Sequence, residues 1–286
     1  PLFVIDDVDA AGHRVMPEAA VLVADDAELA QLVRRHRHHH LVSRVHLEID
    51  VDRLQGKAVL QVNRRQVQAV GLTFHEFEHR LHRTLSRVEV RSLGGTHVAW
   101  DFVELPSQIM ENWCWERAAL DLFARHYEAG ETIPAPLYEK MQRARTYREG
   151  SAMMRQLSFA ALDLELHRDY DPTRDGDVIA YSNAVLRRYA TTPLPEGYAF
   201  LTSFGHLFAS SGYAAGYYVY LWAEVLDADG YAAFVEAGNP FDPTVAERLH
   251  RFVYSSGGTL EPSHAFRSFR GRDPVIGPML AKRGLA

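Results

Sequence analysis

The sequence predicts a mainly α-helical protein with a small antiparallel β-sheet near its N-terminus. After Val70, apolar residues recur every three or four positions, and loops rich in proline and glycine separate helix-length segments. Before that point, β-branched residues and alternating patterns predominate. We therefore predict two parts, an N-terminal α/β segment at residues 1–70 and a helical domain at residues 71–286.

Three patterns define the N-terminal segment. Residues 44–51 (RVHLEIDV) and 57–63 (KAVLQVN) are typical strands, and the Leu54-Gln55-Gly56 link between them predicts a hairpin. Residues 28–36 (ELAQLVRRH) predict a short helix. The run 34–40 (RRHRHHH) has a composition that can bind metal, but its irregular spacing and its arginines favour a solvated polar segment.

An apolar stripe predicts the first helix of the domain. Its members share one helix face at spacings of four, four and three residues: Phe77, Leu81, Leu85 and Val88. Because Leu72, Phe74 and Phe77 flank the polar residues between them, we expect this segment to be buried. The Gly94-Gly95 loop ends the region.

Further helices follow in the same pattern. A second helix is predicted at 104–126, where Pro106 lies near the start, a position at which its missing N–H costs nothing. The other predicted helices are 136–146, 151–168, 176–190 and 213–228.

The composition is that of an ordinary globular protein, with 47% hydrophobic and 24% charged residues. The formal charge of −6 argues against a nucleic-acid partner. No apolar run is long enough for a membrane span, and residues 1–12 carry acids where a signal peptide has basic residues, so we expect a cytoplasmic protein. The single cysteine, Cys114, allows no intrachain disulfide, and its two tryptophan neighbours favour a buried hydrophobic role.

The segment His75-Glu76-Phe77-Glu78-His79 carries the strongest chemical pattern. On a helix, His75 and His79 project from the same side and can share one metal ion. Glu76 points away from that ion but can reach a water bound to it, and a carboxylate that takes the proton of such a water is what a metal-assisted hydrolase needs.

A catalytic zinc ion requires a third protein ligand and an open position. Glu104 is the best candidate, although a negative charge at the start of a helix is equally consistent with a role at the helix N-terminus. Glu111 and Asp101 flank it and are candidates for orienting the ligands. For His82, three residues after His79, we favour a supporting or packing role over a fourth ligand.

Aromatic side chains form a third group, in residues 204–222 (FGHLFASSGYAAGYYVYLW). Tyr213, Tyr217 and Tyr220 would share one face of a helix, and His206 precedes them. Phenols and an imidazole can donate hydrogen bonds to the oxyanion formed when water attacks a peptide carbonyl. A core aromatic stripe is the alternative, but three hydroxyl groups on one face would each need a partner there.

These segments together resemble a known family. Residues 71–286 resemble the catalytic region of the zinc metallopeptidases that include thimet oligopeptidase, oligopeptidase A and the peptidyl-dipeptidases. HEFEHRLH resembles the family's HEFGHxLH, and the block that contains the third ligand matches DFVELPSQIMENWCWE. Later blocks follow in the family's order: 155–167, 204–226 and 257–274.

The resemblance implies a role for each candidate residue. One zinc ion would be bound by His75, His79 and Glu104, with Glu76 as the general base. Tyr220 would stabilise the transition state together with His206 or Tyr213, and Tyr213 and Tyr217 would bind substrate. The expected activity is hydrolysis of short peptides inside the cell, as an endopeptidase or a peptidyl-dipeptidase, and the pattern indicates no oligomeric state.

Three departures from the family motivate an alternative. Glu78 replaces a glycine, the tyrosine loop reads SSGY and lies further from His206, and the family's long N-terminal helical region has no counterpart in residues 1–56. The alternative is a truncated, catalytically impaired zinc-binding homologue that acts as a binding or interaction module. Cleavage of a short peptide that a chelator abolishes would distinguish the enzyme from that module.

Overall fold

The structure is a computed structural model that describes residues 3–5, 7–8, 14–15, 64–208 and 211–286. Over these residues the chain is mainly helical, which confirms the predicted class. The α-helices are Arg64–Leu85, Leu105–Glu111, Arg117–Phe123, Ala135–Arg145, Glu149–Arg168, Pro172–Asp175, Val178–Arg187, Gly205–Phe208, Val219–Glu236, Pro243–Leu249, Pro262–Arg270 and Gly277–Lys282. Short 3₁₀ helices lie at Arg91–Leu93, Trp100–Phe102, Asn112–Trp115, Phe200–Ser203, Ser211–Tyr213 and Gly257–Thr259, and a π-helical turn lies at His250–Tyr254.

Short strands form two antiparallel pairs. Phe3–Ile5 pairs with Ala124–His126, and Asp7–Val8 pairs with Arg14–Val15. The predicted hairpin at 44–51 and 57–63 lies outside the described residues, so the predicted N-terminal sheet stays a prediction. The same holds for the predicted helix at 28–36 and the histidine-rich run at 34–40.

Three predicted helices are confirmed. The predictions at 136–146, 151–168 and 176–190 correspond to Ala135–Arg145, Glu149–Arg168 and Val178–Arg187. Each has basic residues in its last turn, which interact favourably with the carbonyl end of a helix.

The predicted continuous helix at 104–126 is wrong. The α-helix ends at Glu111, and the backbone of Glu116 is extended before the chain turns helical again. The carbonyl of Trp115 accepts hydrogen bonds from the Tyr138 hydroxyl (2.8 Å) and the Gln142 amide (2.6 Å). This carbonyl is therefore satisfied by distant side chains instead of by the helix, which permits the break.

The predicted helix at 213–228 begins later than expected. Its regular part is Val219–Glu236, which we call the tyrosine helix, and residues 211–218 form turns that we call the tyrosine loop. Ala215 in this loop has φ 57°, a left-handed conformation that no α-helix accommodates. Tyr213 and Tyr217 therefore lie in the loop, and only Tyr220 lies in the helix.

The helix Arg64–Leu85, which we call the histidine helix, buries a polar face. Leu72 and Phe77 are 53% and 59% exposed, so the expectation that they enclose the histidines is wrong. The buried face contains Glu78 and His82, both fully buried, at the helical spacing of four. The helix ends at Leu85, so the predicted stripe member Val88 lies beyond it.

The tyrosine helix lies in the centre of the main core. It packs against the helix Leu105–Glu111, which we call the Glu104 helix, and against Gly277–Lys282. Gly230 permits this close packing, because a Cβ atom there would lie 3.1 Å from both Ile109 and Phe269. The shared core cluster includes Phe102, Leu105, Ile109, Leu226, Phe234, Val253, Phe266 and Phe269.

A second cluster packs behind the tyrosine loop. Its buried members are Phe159, Leu162, Val185, Leu186, Leu201, Phe204, Leu207 and Tyr217. In the part of the chain that the structure describes, no helix has the length and apolar character of a membrane span.

Two buried aspartates connect the C-terminal segment to the tyrosine helix. Asp229 is fully buried and accepts hydrogen bonds from Arg270, Arg272 and the Val275 backbone N–H. Asp227 forms an ion pair with Lys282 (2.7 Å). These contacts fix residues 262–286 against the core.

Cys114 is 1% exposed, and burial raises the pKa of its thiol to about 12. The thiol is therefore protonated at neutral pH, and the predicted role as a buried hydrophobic residue is confirmed.

Candidate active site

The two histidines of the HEFEH segment lie next to Glu104 at the interface between the histidine helix and the Glu104 helix. The Nε2 atom of His75 lies 3.3 Å from Glu104 Oε2, and that of His79 lies 3.5 Å from the same oxygen. One ligand atom from each of the three residues lies within 4.8 Å of the other two. The structure thus brings together the three residues for which the sequence predicts metal binding.

Neighbouring side chains orient this group. His75 Nδ1 lies 2.9 Å from Glu111 Oε1, so its Nε2 atom faces Glu104. Ser107 donates a hydrogen bond to Glu104 Oε2 at 2.8 Å. Glu104 is the N-cap residue of its helix, although its side chain makes no capping hydrogen bond there, so the alternative role as a negative charge at a helix N-terminus stays open beside the ligand role.

The charges of the three residues depend on each other. Burial lowers the pKa of His75, but its hydrogen bonds to Glu104 and Glu111 outweigh burial and raise that pKa to about 10. Burial raises the pKa of Glu104, but His75, His79 and Ser107 outweigh it, so the net shift is downward. Burial lowers the pKa of His79. At neutral pH the group therefore contains a carboxylate, a neutral imidazole and an imidazolium.

This donor set fits a catalytic zinc ion. Two imidazole nitrogens and one carboxylate oxygen are the three-ligand set that zinc hydrolases use, with a further position left for water or substrate. The carboxylate of Glu111 on His75 supplies the outer hydrogen bond that is typical of histidine ligands. The predicted partner Asp101 makes no hydrogen bond or ion pair with the three residues over the described part of the chain.

Glu76 follows His75 on the exposed side of the histidine helix. Burial lowers the pKa of His79, and the negative charge of Glu76 offsets part of that shift. Burial raises the pKa of Tyr213, and the charge of Glu76 adds to that rise. An exposed carboxylate beside a metal-binding group has the freedom to exchange a proton with a water molecule there.

Two polar residues lie on the buried side of the histidine helix, away from Glu76. The carboxyl group of Glu78 is fully buried, with Oε2 3.7 Å from His79 Nδ1, and burial raises its pKa to about 8. His82 is also fully buried, and its ring packs edge-on against Tyr254 with 5.8 Å between centroids. This position supports the packing role for His82 and places it outside the metal-binding group.

The three predicted tyrosines converge around His206, although they do not share a helix face. The imidazole of His206 lies 5.4 Å from the Tyr213 ring, 5.9 Å from the Tyr217 ring and 6.2 Å from the Tyr220 ring. The hydroxyl groups of Tyr213 and Tyr220 form a 2.7 Å hydrogen bond. A loop followed by a helix therefore brings these side chains together, where the sequence predicted a single helix.

The tyrosine hydroxyls keep their protons at neutral pH. Burial raises the pKa of Tyr217 to about 12, and burial together with the charge of Glu104 raises that of Tyr220 well above its usual value. The Gln108 amide of the Glu104 helix donates a hydrogen bond to the Tyr220 carbonyl at 3.2 Å, so Tyr220 and the Glu104 helix are neighbours. Protonated phenols beside a metal-binding group can donate hydrogen bonds to a developing oxyanion.

Sequence reasoning missed two residues that hold the tyrosine loop. Asp163 is 1% exposed and accepts hydrogen bonds from the backbone N–H groups of Ala215 and Tyr217. The indole N–H of Trp100 donates to the Gly216 carbonyl at 3.0 Å. An aspartate within the apolar run 159–166 (FAALDLEL) is a signal that could have revealed the first, because a buried carboxylate requires partners.

Comparisons with known proteins agree on one family. The model of peptidase family M3 matches residues 37–285. The chain is 45% identical over 226 residues to organellar oligopeptidase A of Arabidopsis thaliana, covering 77% of this chain and 28% of that relative. It is 42% identical over 213 residues to oligopeptidase A of Escherichia coli (74% and 31%) and 37% identical over 214 residues to dipeptidyl carboxypeptidase of the same organism (74% and 31%). The chain therefore spans about a third of the length of these curated relatives.

Proposed function

Since the chain belongs to peptidase family M3, we propose that it contains the catalytic centre of a zinc-dependent oligopeptidase that hydrolyses peptide bonds in short peptides. The observation that supports this most is the convergence of His75, His79 and Glu104 beside a cluster of protonated tyrosines. Relatives named oligopeptidase A and dipeptidyl carboxypeptidase support the same class of substrate.

In this proposal His75, His79 and Glu104 hold one zinc ion, and Glu111 and Ser107 orient two of these ligands. When bound, zinc supplies a Lewis acid that polarises the substrate carbonyl and lowers the pKa of water. The ligand arrangement requires that His75 release the proton it holds in the metal-free chain, because only the neutral imidazole binds a metal.

Glu76 acts as the general base and then as the general acid. Its exposed carboxylate takes a proton from the attacking water and returns it to the leaving amine. Its position one residue after a ligand on the same helix keeps it close to the reacting atoms without making it a ligand.

Tyr220 donates a hydrogen bond to the oxyanion, with Tyr213 or His206 as its partner. The raised pKa of Tyr220 keeps the required proton on the hydroxyl throughout the physiological range. Tyr213 and Tyr217 also contact the substrate, because both pack against Tyr220. Cytoplasmic location is proposed as well, supported by a relative named probable cytosolic oligopeptidase A.

Cleavage of a quenched fluorescent oligopeptide tests the proposal. We expect the zinc-loaded chain to cleave it, a chelator to abolish cleavage and added zinc to restore it. Glu76→Gln should bind zinc normally but cleave at least about 100-fold more slowly, because general-base catalysis contributes on that order.

Glu89→Gln is the matched control, since Glu89 is exposed and lies beyond the histidine helix. It should cleave like the wild type. Stoichiometric zinc binding without cleavage by the wild type would refute the enzyme and support the alternative of a binding module.

A further inference from the structure

We propose that Asp163 is a positioning residue that sets the conformation of the tyrosine loop and thereby the positions of the Tyr213 and Tyr217 side chains around His206. Asp163 lies within the helix Glu149–Arg168, far in sequence from the residues it holds. The inference rests on the proposed function, because it assigns a catalytic purpose to the shape of the loop.

The carboxylate of Asp163 bonds the loop through both of its oxygens. Oδ1 accepts the N–H of Ala215 at 3.0 Å, and Oδ2 accepts the N–H of Tyr217 at 2.7 Å. The Nδ1 atom of His167, one turn along the same helix, lies 2.9 Å from Oδ1 and 2.8 Å from the main-chain carbonyl oxygen of Asp163. The carboxylate therefore contacts its own helix through Oδ1 and the loop through both oxygens.

The loop adopts a shape that requires such support. Ala215 has φ 57°, a region that residues other than glycine rarely occupy. Conformations of this kind persist where surrounding contacts determine them, and they occur frequently at functional sites. The direct bond from Ala215 N–H to Asp163 is a contact of that type.

Trp100 makes a second contact that holds the tyrosine loop. The Trp100 indole donates to the carbonyl of Gly216, and its ring packs edge-on against Tyr213 at 4.7 Å. Hydrogen bonds from Asp163 and Trp100 therefore fix three consecutive loop residues, Ala215, Gly216 and Tyr217. The 3₁₀ helix that contains Trp100 leads directly into Glu104.

Burial makes the coupling between Asp163 and the loop strong. Asp163 is 1% exposed, and a buried carboxylate without hydrogen-bond donors is costly. If the loop left its position, the two backbone donors would be lost from this carboxylate. The arrangement in which Tyr213 and Tyr217 converge around His206 is therefore the one that Asp163 favours.

Asp163→Asn tests the inference with Glu165→Gln as its matched control. The amide retains the size of Asp163 but offers one acceptor in place of two and turns a donor toward a loop N–H. Glu165 lies on the same helix and pairs with Arg188 instead of the loop, so its variant makes the same carboxylate-to-amide change elsewhere.

Three measurements distinguish positioning from a general structural role. We expect backbone hydrogen exchange in residues 213–218 to become about tenfold faster in Asp163→Asn. A hydrogen bond to a charged group stabilises the closed loop by enough to slow its opening by about that factor. KM for the fluorescent peptide should rise and kcat should fall, with zinc content unchanged. Adding Ala215→Gly to Asp163→Asn should recover part of the loss, since glycine accepts positive φ without support. Glu165→Gln should match the wild type in all three.

A milder variant covers the case in which Asp163→Asn does not fold. His167 is exposed, so His167→Ala should fold. The variant removes a side chain that contacts the Asp163 carboxylate, so hydrogen exchange of the loop should become faster and KM should rise, each by less than in Asp163→Asn.

Unchanged loop exchange in folded Asp163→Asn and in His167→Ala would overturn the inference. Faster exchange with unchanged KM and kcat would overturn it as well, because the loop position would then not matter for the reaction. A wild type that cleaves no peptide refutes the proposed function instead, and loop exchange, measured without substrate, still decides whether Asp163 holds the loop.

Discussion

Glu78 and Glu104 are both buried carboxyl groups, and their neighbours give them different protonation states. Glu104 faces two imidazoles and the Ser107 hydroxyl, so its pKa is lowered despite burial. Glu78 has no comparable donor, and burial raises its pKa to about 8. Two neighbouring helices therefore place a charged ligand candidate, Glu104, and a neutral carboxylic acid, Glu78, at the two ring nitrogens of His79.

The protonated state of Glu78 predicts a pH dependence of stability in the metal-free chain. Its pKa is raised from 4.5 to about 8, so between these values the folded chain binds more protons than the unfolded chain, and stability falls as pH rises. Glu78→Gln removes the titrating carboxyl group and with it this pH dependence of the unfolding free energy. The unfolding free energy of the variant relative to the wild type should rise by about 1.4 kcal/mol per pH unit from about pH 5 to about pH 8.

Urea unfolding of both proteins at several pH values, with a chelator present, measures this difference. The comparison between the two proteins cancels the titration of shared groups that do not interact with Glu78. The charge of His75 acts on Glu78 and offsets part of its raised pKa, so this interaction belongs to the measured difference. A difference that stays constant across the range would show that Glu78 is ionised in the folded chain.

Functional residues could be predicted from the sequence where they lie within one or two helical turns of each other. His75, Glu76 and His79 belong to one helix turn, so their spacing alone places two imidazoles together. Asp163 and Trp100 were not predictable in this way, because their role depends on backbone groups more than fifty residues away that only the tertiary structure brings near.

At the scale of elements, periodicity predicted helices well where their ends depend on local sequence. The helix Val178–Arg187 illustrates this, because the Asp177 side chain caps its start by accepting the Ala180 N–H. The break after Glu111 was not predictable, because the carbonyl of Trp115 is bound by side chains from another helix. The late start of the tyrosine helix has a similar cause, since Asp163 holds the N–H groups of the preceding loop.

The contact between the tyrosine loop and the segment before the Glu104 helix predicts an effect of Gly216→Ala. A Cβ atom at Gly216 would lie 2.5 Å from Nε1 of Trp100, closer than packed atoms approach. We expect the loop to shift and the hydrogen bond to Trp100 to weaken, so kcat/KM for the fluorescent peptide should fall about tenfold or more while zinc affinity stays unchanged.

Gly277→Ala is the control for this substitution, because nothing lies within 4 Å of a Cβ atom at that helical position. Equal kcat/KM in the two alanine variants would mean that the loop does not depend on its contact with Trp100.

On the scale of the whole molecule, the central position of the tyrosine helix was not evident from its sequence. Its buried residues include Asp227 and Asp229, which a hydrophobic pattern would assign to the surface. Lys282, Arg270 and Arg272 neutralise these aspartates from the end of the chain. The mainly helical class followed from local periodicity, whereas the arrangement of the helices depends on these pairs between distant segments.

The buried pair between Asp229 and Arg270 predicts a large loss of stability in Asp229→Ala. The Arg270 side chain is only 4% exposed, and the variant would leave it with Glu236 alone. Removing one partner of a buried ion pair costs about 3 kcal/mol or more. Urea unfolding should show this loss.

Asp273→Ala should lie within about 0.5 kcal/mol of the wild type, because its pair with Arg267 is exposed on both sides. A similar loss in the two variants would contradict the assignment of Asp229 as the residue that fixes the C-terminal segment.

The hydrogen-bonded state of His75 has a consequence for how the chain takes up a cation. With a pKa of about 10, its imidazole holds a proton at neutral pH between two carboxylates, Glu104 and Glu111. Zinc uptake is then an exchange of cations, in which a proton leaves as the metal enters. The heat of zinc binding measured by calorimetry should therefore vary with the ionisation enthalpy of the buffer, since the buffer accepts the displaced proton.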